Sequence, residues 1–104
     1  MGWSCSIRLI SENGRPVTNC KVLINFSGLI GTSHSETTDG DGWANFENEY
    51  EDDDRSRSVD AIAAYIGLFG GTEIELQTGG SIDDGESLSF TITDEDFNDA
   101  SDLP

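Results

Sequence analysis

The chain has 104 residues, enough for one domain with its own core but with little stability to spare. Twelve aspartates and nine glutamates face four arginines and one lysine, giving a net charge of −16 at pH 7; nothing here can neutralise phosphates, so nucleic acid and anionic membrane are excluded as partners. No apolar run approaches the roughly 18 residues that cross a bilayer, and Met1 to Ser6 lacks the basic start and apolar stretch of an export signal, so the expected compartment is the cytoplasm.

Residues 3–11 alternate, with Trp3, Cys5, Ile7 and Leu9 on one side and Ser4, Ser6 and Arg8 on the other, which is the period of a half-buried strand. Glu12-Asn13-Gly14-Arg15-Pro16 is a turn, in which Asn-Gly supplies the left-handed backbone. Cys20, Val22, Ile24 and Phe26 alternate again as a second strand, 27–31 is a loop, and the polar stretch 32–38 suits an edge strand. Asp39-Gly40-Asp41-Gly42 is a turn, and Trp43 to Phe46 starts a fourth strand. Residues 47–58 read as an acidic loop. Val59 to Ile66 has residues of good helix propensity in Asp60-Ala61-Ile62-Ala63-Ala64, but a short apolar run between a charged loop and a glycine-rich one fits a buried strand better. Gly67 to Gly71 is a loop, Ile74 and Leu76 mark a sixth strand, Gly79 to Gly85 is a turn, and Leu88, Phe90 and Ile92 mark a seventh. The five acids of 94–104 predict a disordered tail after a domain spanning 1–93.

Seven short strands with turns every 8–12 residues predict an all-β fold, a seven-stranded antiparallel Greek-key β-sandwich of immunoglobulin-like type. The segments G-R-P-V-T-N-C-K-V-L-I from Gly14 and T-T-D-G-D-G-W-A-N-F from Thr37 resemble the transthyretin-like (prealbumin-like) group, which includes the carboxypeptidase regulatory-like domains. The likeness extends over about residues 5–93 and rests on turn and core positions. It implies a binding, linking or structural accessory module; the hydrolase members of that group rely on several histidines, and this chain has only His34.

Loops should alternate between the two ends of such a sandwich, placing 12–16, 39–42 and 67–71 at one end and 27–31, 47–58 and 79–87 at the other. The second end then gathers Glu51, Asp52, Asp53, Asp54, Asp83, Asp84 and Glu86, hard oxygen ligands of the kind calcium takes; solvated turns are the competing account. Asp39-Gly40-Asp41-Gly42 starts like an EF-hand loop but fails at its fifth and twelfth positions, Trp43 and Tyr50. Leu68 and Phe69, and Leu29 and Ile30, are apolar loop tips that either bind a protein partner or fold back to plug the sandwich. The acids themselves fit a salty solvent, a basic partner, or a solubility surface with cation binding, the first favoured by the excess of aspartate and scarcity of lysine. Cys5 and Cys20 fall on the apolar sides of their strands, and pairing of those strands around 12–16 would bring them near enough for a disulfide; two free core thiols is the preferred reading. No G-x-S-x-G elbow accompanies His34, so no enzyme and no cofactor are expected. The expected role is a structural or protein-interaction module, with a calcium- or salt-responsive binding domain as the alternative, and 32–38 and 86–93 as the candidate sheet edges.

Overall fold

The computed structural model describes residues 3–26, 32–48, 56–66 and 71–96. Eight strands occur in these segments: β1 (Trp3–Ser11), β2 (Lys21–Phe26), β3 (Thr32–Thr37), β4 (Trp43–Asn48), β5 (Ser56–Ile66), β6 (Thr72–Thr78), β7 (Ser81–Asp83) and β8 (Glu86–Ile92). They build two layers, one ordered β4-β1-β8 and the other β3-β2-β5-β6, with β7 also paired to β5. The chain is an all-β sandwich.

The period-two pattern sets which face is buried. Cys5, Ile7 and Leu9 of β1, Val22, Ile24 and Phe26 of β2, Ala44 and Phe46 of β4, and Val59, Ile62, Ala64 and Ile66 of β5 all point between the layers and are buried. Each fully buried aliphatic side chain among them stabilises the fold by about 1.5–3 kcal/mol. The run from Val59 to Ile66 is a strand throughout, as its length and flanks predict; its alanines pack opposite β2, whose Val22 and Leu23 face Ala64 and Ala63.

Three features differ from the sequence reading. An eighth strand, β7, lies inside the stretch read as a turn, because Ile82 is buried and Ser56, Arg57 and Ser58 at the start of β5 pair with Asp83, Ile82 and Ser81. The sandwich is not wholly antiparallel, since β8 runs parallel to β1 from Cys5↔Glu86 to Ser11↔Ile92. The physical reason is directional. β6 and β7 both run antiparallel to β5, so they form one broken strand and the chain reverses only at the glycine turn of Gly85, which brings β8 back in the direction of β1. Finally, Asp94, Glu95 and Asp96, read from the sequence as the start of a disordered tail, have regular structure. Residues 94–96 form a helical turn held to the first loop, where Asp94 N–H donates to Glu12 Oε1 (3.0 Å) and Asn13 Nδ2 donates to Asp94 Oδ2 (2.9 Å); 97–104 lie outside the described residues.

The two segments that carry the transthyretin-like resemblance meet at Leu9. Gly14 closes the first turn with φ +80° and donates to Ser11 O at 2.9 Å, after which Pro16 bridges Ile10 and Val17 N–H donates to Leu9 O at 3.0 Å. From the other side, Leu9 N–H donates to Gly42 O at 2.9 Å. Thr38, buried, ties the next crossing: its Oγ1 accepts from Cys20 N–H and its own N–H donates to Cys20 O, both at 2.9 Å. The chain therefore does not form a β1–β2 hairpin. It touches β1 briefly and passes to the opposite layer.

Gly42 is where this junction is tightest. Its φ is +85°, and a Cβ there would lie 2.6 Å from Leu9 O, a backbone atom that cannot move without breaking its bond to Val17. Gly14, with φ +80°, has nothing within 4 Å of the same position. Gly14→Ala should therefore cost only the left-handed penalty of about 1–2 kcal/mol, and Gly42→Ala about 2 kcal/mol more through the added clash, a ranking that paired urea unfolding curves check.

Candidate functional site

The described turns and strand ends alternate between the two ends as expected. Hydrogen bonds join residues 12–13 to Asp94, and Leu9 to Gly42, at one end. At the other end Trp3 faces Asn48, Ser56 faces Asp83, and Cys5 faces Glu86. The register thus puts the strand ends that flank 49–55 beside the β7–β8 turn. Glu51, Asp52, Asp53 and Asp54 themselves lie outside the described residues, as do Leu68, Phe69, Leu29 and Ile30.

Asp83, Asp84 and Glu86 are described, and two of their carboxylates already serve the backbone. Asp84 Oδ1 accepts from Ser4 N–H at 2.9 Å, and Glu86 Oε1 accepts from Asp83 N–H at 2.8 Å, while Gly85 N–H donates to Ser4 O at 2.7 Å. These acids build the turn and pin it to the start of β1. Among the described residues no three histidine, cysteine, aspartate or glutamate side chains are grouped to hold a metal ion.

The Asp39–Gly42 turn is likewise built by its carboxylate. Asp39 Oδ1 accepts from Asp41 N–H (2.9 Å) and Trp43 N–H (3.0 Å), and Gly42 N–H donates to Asp39 O (3.1 Å). The likeness to an EF-hand start is a side-chain-closed turn. The amides of Trp43 and Asp41 hold the Asp39 carboxyl below its ordinary value. A depressed carboxyl contributes stability above the pKa of the unfolded chain and loses it as pH falls through the folded value. Asp39→Asn keeps an acceptor oxygen without the charge, so its stability deficit against the natural chain should be full at neutral pH, begin to shrink near the unfolded carboxyl value of about 4, and disappear only as pH falls through the lower folded value, measured by urea melts at matched ionic strength.

The two cysteines are free and buried, on different layers and at opposite ends. Cys5 sits on β1 opposite Phe46 and Glu86, whereas Cys20 precedes β2 beside Thr38, with Sγ 3.4 Å from Tyr65 O. The proximity expected from pairing around 12–16 does not arise, because β1 and β2 belong to different sheets. Burial first, and the Glu86 charge second, push the Cys5 thiol up to about 12, and burial pushes Cys20 up to about 11. Glu86→Gln retains an acceptor for Asp83 while removing the charge. It should lower the pH at which Cys5 is alkylated yet leave it above that of an exposed thiol, because burial is the larger cause; alkylation rate against pH, resolved by peptide mass spectrometry, reads this out.

His34 lies on the inner side of β3 opposite Ile24, with its ring 5.5 Å from Phe26 in an edge-to-face contact at 72°. It seals the β3 edge of the core. On the outer faces, Arg8 stacks over Trp43 at 5.8 Å and Lys21 over Tyr65 at 5.4 Å, so two of the chain's few cations cover aromatic rings.

The sequence reading missed the side of the sandwich where β6 and β8 stand. On the opposite side β3 packs against β4 and the layers close. Among the described residues no comparable packing joins β6 to β8. Ile74, Leu76, Leu88 and Phe90 pack against the core yet remain partly exposed, and all of them belong to these two strands. The sequence marks them as strand residues. Their shared exposure follows only from the sheet order, which puts β6 and β8 at the same side. Of the expected edges, 32–38 and 86–93 correspond to β3 and β8, each at the end of its layer.

No family model matches the chain, and no curated protein matches it. Among solved structures it is similar to the major pilin subunit of Bacillus cereus, with a TM-score of 0.44 and 11% identity over 88% of this chain and 29% of the pilin. It is also similar to a 9R-lipoxygenase from Cyanothece, with a TM-score of 0.37 and 14% identity over 88% of this chain and 16% of the enzyme. The chain thus spans under a third of either protein. At these scores neither likeness bears on activity, and the architecture stands on the strand pairing itself.

Proposed function

We propose that the chain is a non-enzymatic structural or protein-interaction module, an accessory piece of a larger assembly, built on a transthyretin-like sandwich. The observation that carries this reading is the one-sided closure of the core: among the described residues, every partly exposed apolar side chain packed against it lies on β6 or β8, while on the other side β3 packs against β4. Apolar surface left at a sheet edge is what a protein partner covers. The polar groups that could suggest chemistry have structural employment instead, with His34 against Phe26 and Asp39, Asp84 and Glu86 closing turns.

The competing reading is calcium binding at the end formed by 51–54 and 83–86. Its support is the register that sets Ser56 opposite Asp83, which brings the ends of that acidic stretch beside the β7–β8 turn. Two measurements separate the readings. Chemical cross-linking in a lysate of the source cell, followed by affinity capture of the intact chain, should yield a stoichiometric protein partner; a strict monomer without one overturns the interaction reading. Thermal melting in chelator and in millimolar calcium, at matched ionic strength, should give the same midpoint, and a calcium-specific rise would favour the metal site.

A further inference from the structure

Natural sheets guard their edges with lysine, proline, a bulge or a covering element. β4 is covered by β3. β6 is interrupted by a register shift opposite Ile62 and Ala63, and it carries Glu73 and Glu75 beside Tyr65 and Ala63 on the outer face. Among the described residues, β8 has none of these devices. Residues 87–92 hold no charge and no proline, and the register with β1 is unbroken along its whole length. Leu88 and Phe90 face inward and remain partly exposed, while Ser87, Ser89 and Thr91 present a small, exposed outer row. No described strand pairs with the second edge of β8.

Charge frames this edge. Asp83, Asp84 and Glu86 stand at its start, Asp94, Glu95 and Asp96 at its finish, and Glu73 and Glu75 on β6 across the open side, with no lysine or arginine in either strand. We propose that β8 is a docking edge to which an extended segment of a partner protein adds as a new strand, with alternating apolar side chains at its centre and lysine or arginine at its ends. The inference rests on the interaction-module reading and names its edge and its partner. The apolar centre covers Leu88 and Phe90, and the basic ends meet the two acidic groups. A second copy of the chain is the wrong occupant. Antiparallel β8–β8 pairing would set residues 83–86 of one copy beside 94–96 of the other, placing acids against acids in a molecule of net charge −16.

The test titrates the full chain with a labelled synthetic peptide that alternates valine and threonine between paired lysines, followed by fluorescence anisotropy and backbone amide NMR. Two further peptides carry N-methyl groups on alternate residues, in opposite phases, and a fourth has glutamates in place of the lysines. Only every second peptide amide can face the β8 edge, so one phase of methylation should weaken binding at least about tenfold and the other less than about threefold. The glutamate peptide should not bind, and amide shifts should concentrate in 86–92. Equal effects of the two phases would mean charge attraction without strand addition and would overturn the proposal. So would absent binding, tight binding of the glutamate peptide, or a β8-paired dimer of the chain itself. Shifts confined to another surface would overturn the β8 edge while leaving the interaction-module reading intact.

Discussion

The structure turns on the backbone of Leu9. Its N–H donates to Gly42 O and its C=O accepts from Val17 N–H, so one residue of β1 binds the turn before β4 and the segment that leads to β2. Both bonds lie in a buried setting where an unmade partner would cost about 1–3 kcal/mol. They decide how the two layers are joined. The chain leaves β1 after one bridge at Pro16, crosses to the other layer, and is fixed there by the Cys20–Thr38 pair of bonds. Gly42 permits the approach because it has no side chain to meet Leu9 O.

Once that crossing is fixed, the sheet order follows, and with it the asymmetry of the core. β1 occupies the centre of its three-stranded layer, between β4 and β8, and β2 and β5 occupy the centre of the other. The centre strands bury their inward residues completely: Ile7, Leu9, Ile24 and Ile62 are inaccessible to solvent. The edge strands on the open side do so only at Ile92. Ile74 and Leu76 on β6 and Leu88 and Phe90 on β8 have the same alternation but no covering strand among the described residues. Incomplete burial at that side is thus a consequence of topology, not of weak hydrophobicity in the sequence.

This division explains what could be read from the sequence. Alternation and turn chemistry are local, so the strands at 3–11, 20–26 and 59–66 and the turns at Gly14 and Gly42 are legible from a few neighbouring residues. Layer membership is not local. The same alternation in 3–11 and 20–26 suits a hairpin, with Cys5 near Cys20, and equally suits two strands in separate sheets; only the Leu9 and Thr38 bonds select the second. β7 escaped notice because three residues between paired glycines and an Asp-Gly turn carry one buried side chain, Ile82, too little for a period to show. The acidic groups are a different case. In a chain with 21 acids, clusters of carboxylates are expected by composition, and what separates a ligand set from a turn is where each oxygen points. Asp39, Asp84 and Glu86 point at backbone amides.

The charge and the open edge constrain each other. An unguarded strand such as β8 invites pairing with any extended chain, its own copies first, and proteins that keep such an edge must discriminate among partners. On the proposed docking at β8, the discrimination is electrostatic. Placing acids at the two ends of β8 leaves the hydrogen-bonding row between them uncharged, so a strand with basic ends is attracted while another copy of this chain is repelled. The repulsion acts over about a Debye length, about 8 Å at physiological salt, and so is felt before any backbone bond can form. A lysine within β8 would also have blocked self-pairing, but it would have repelled the basic partner as well. Negative charge at the two ends of the strand, with none between them over 87–92, is the arrangement that would leave this edge usable and still prevent it from pairing with itself.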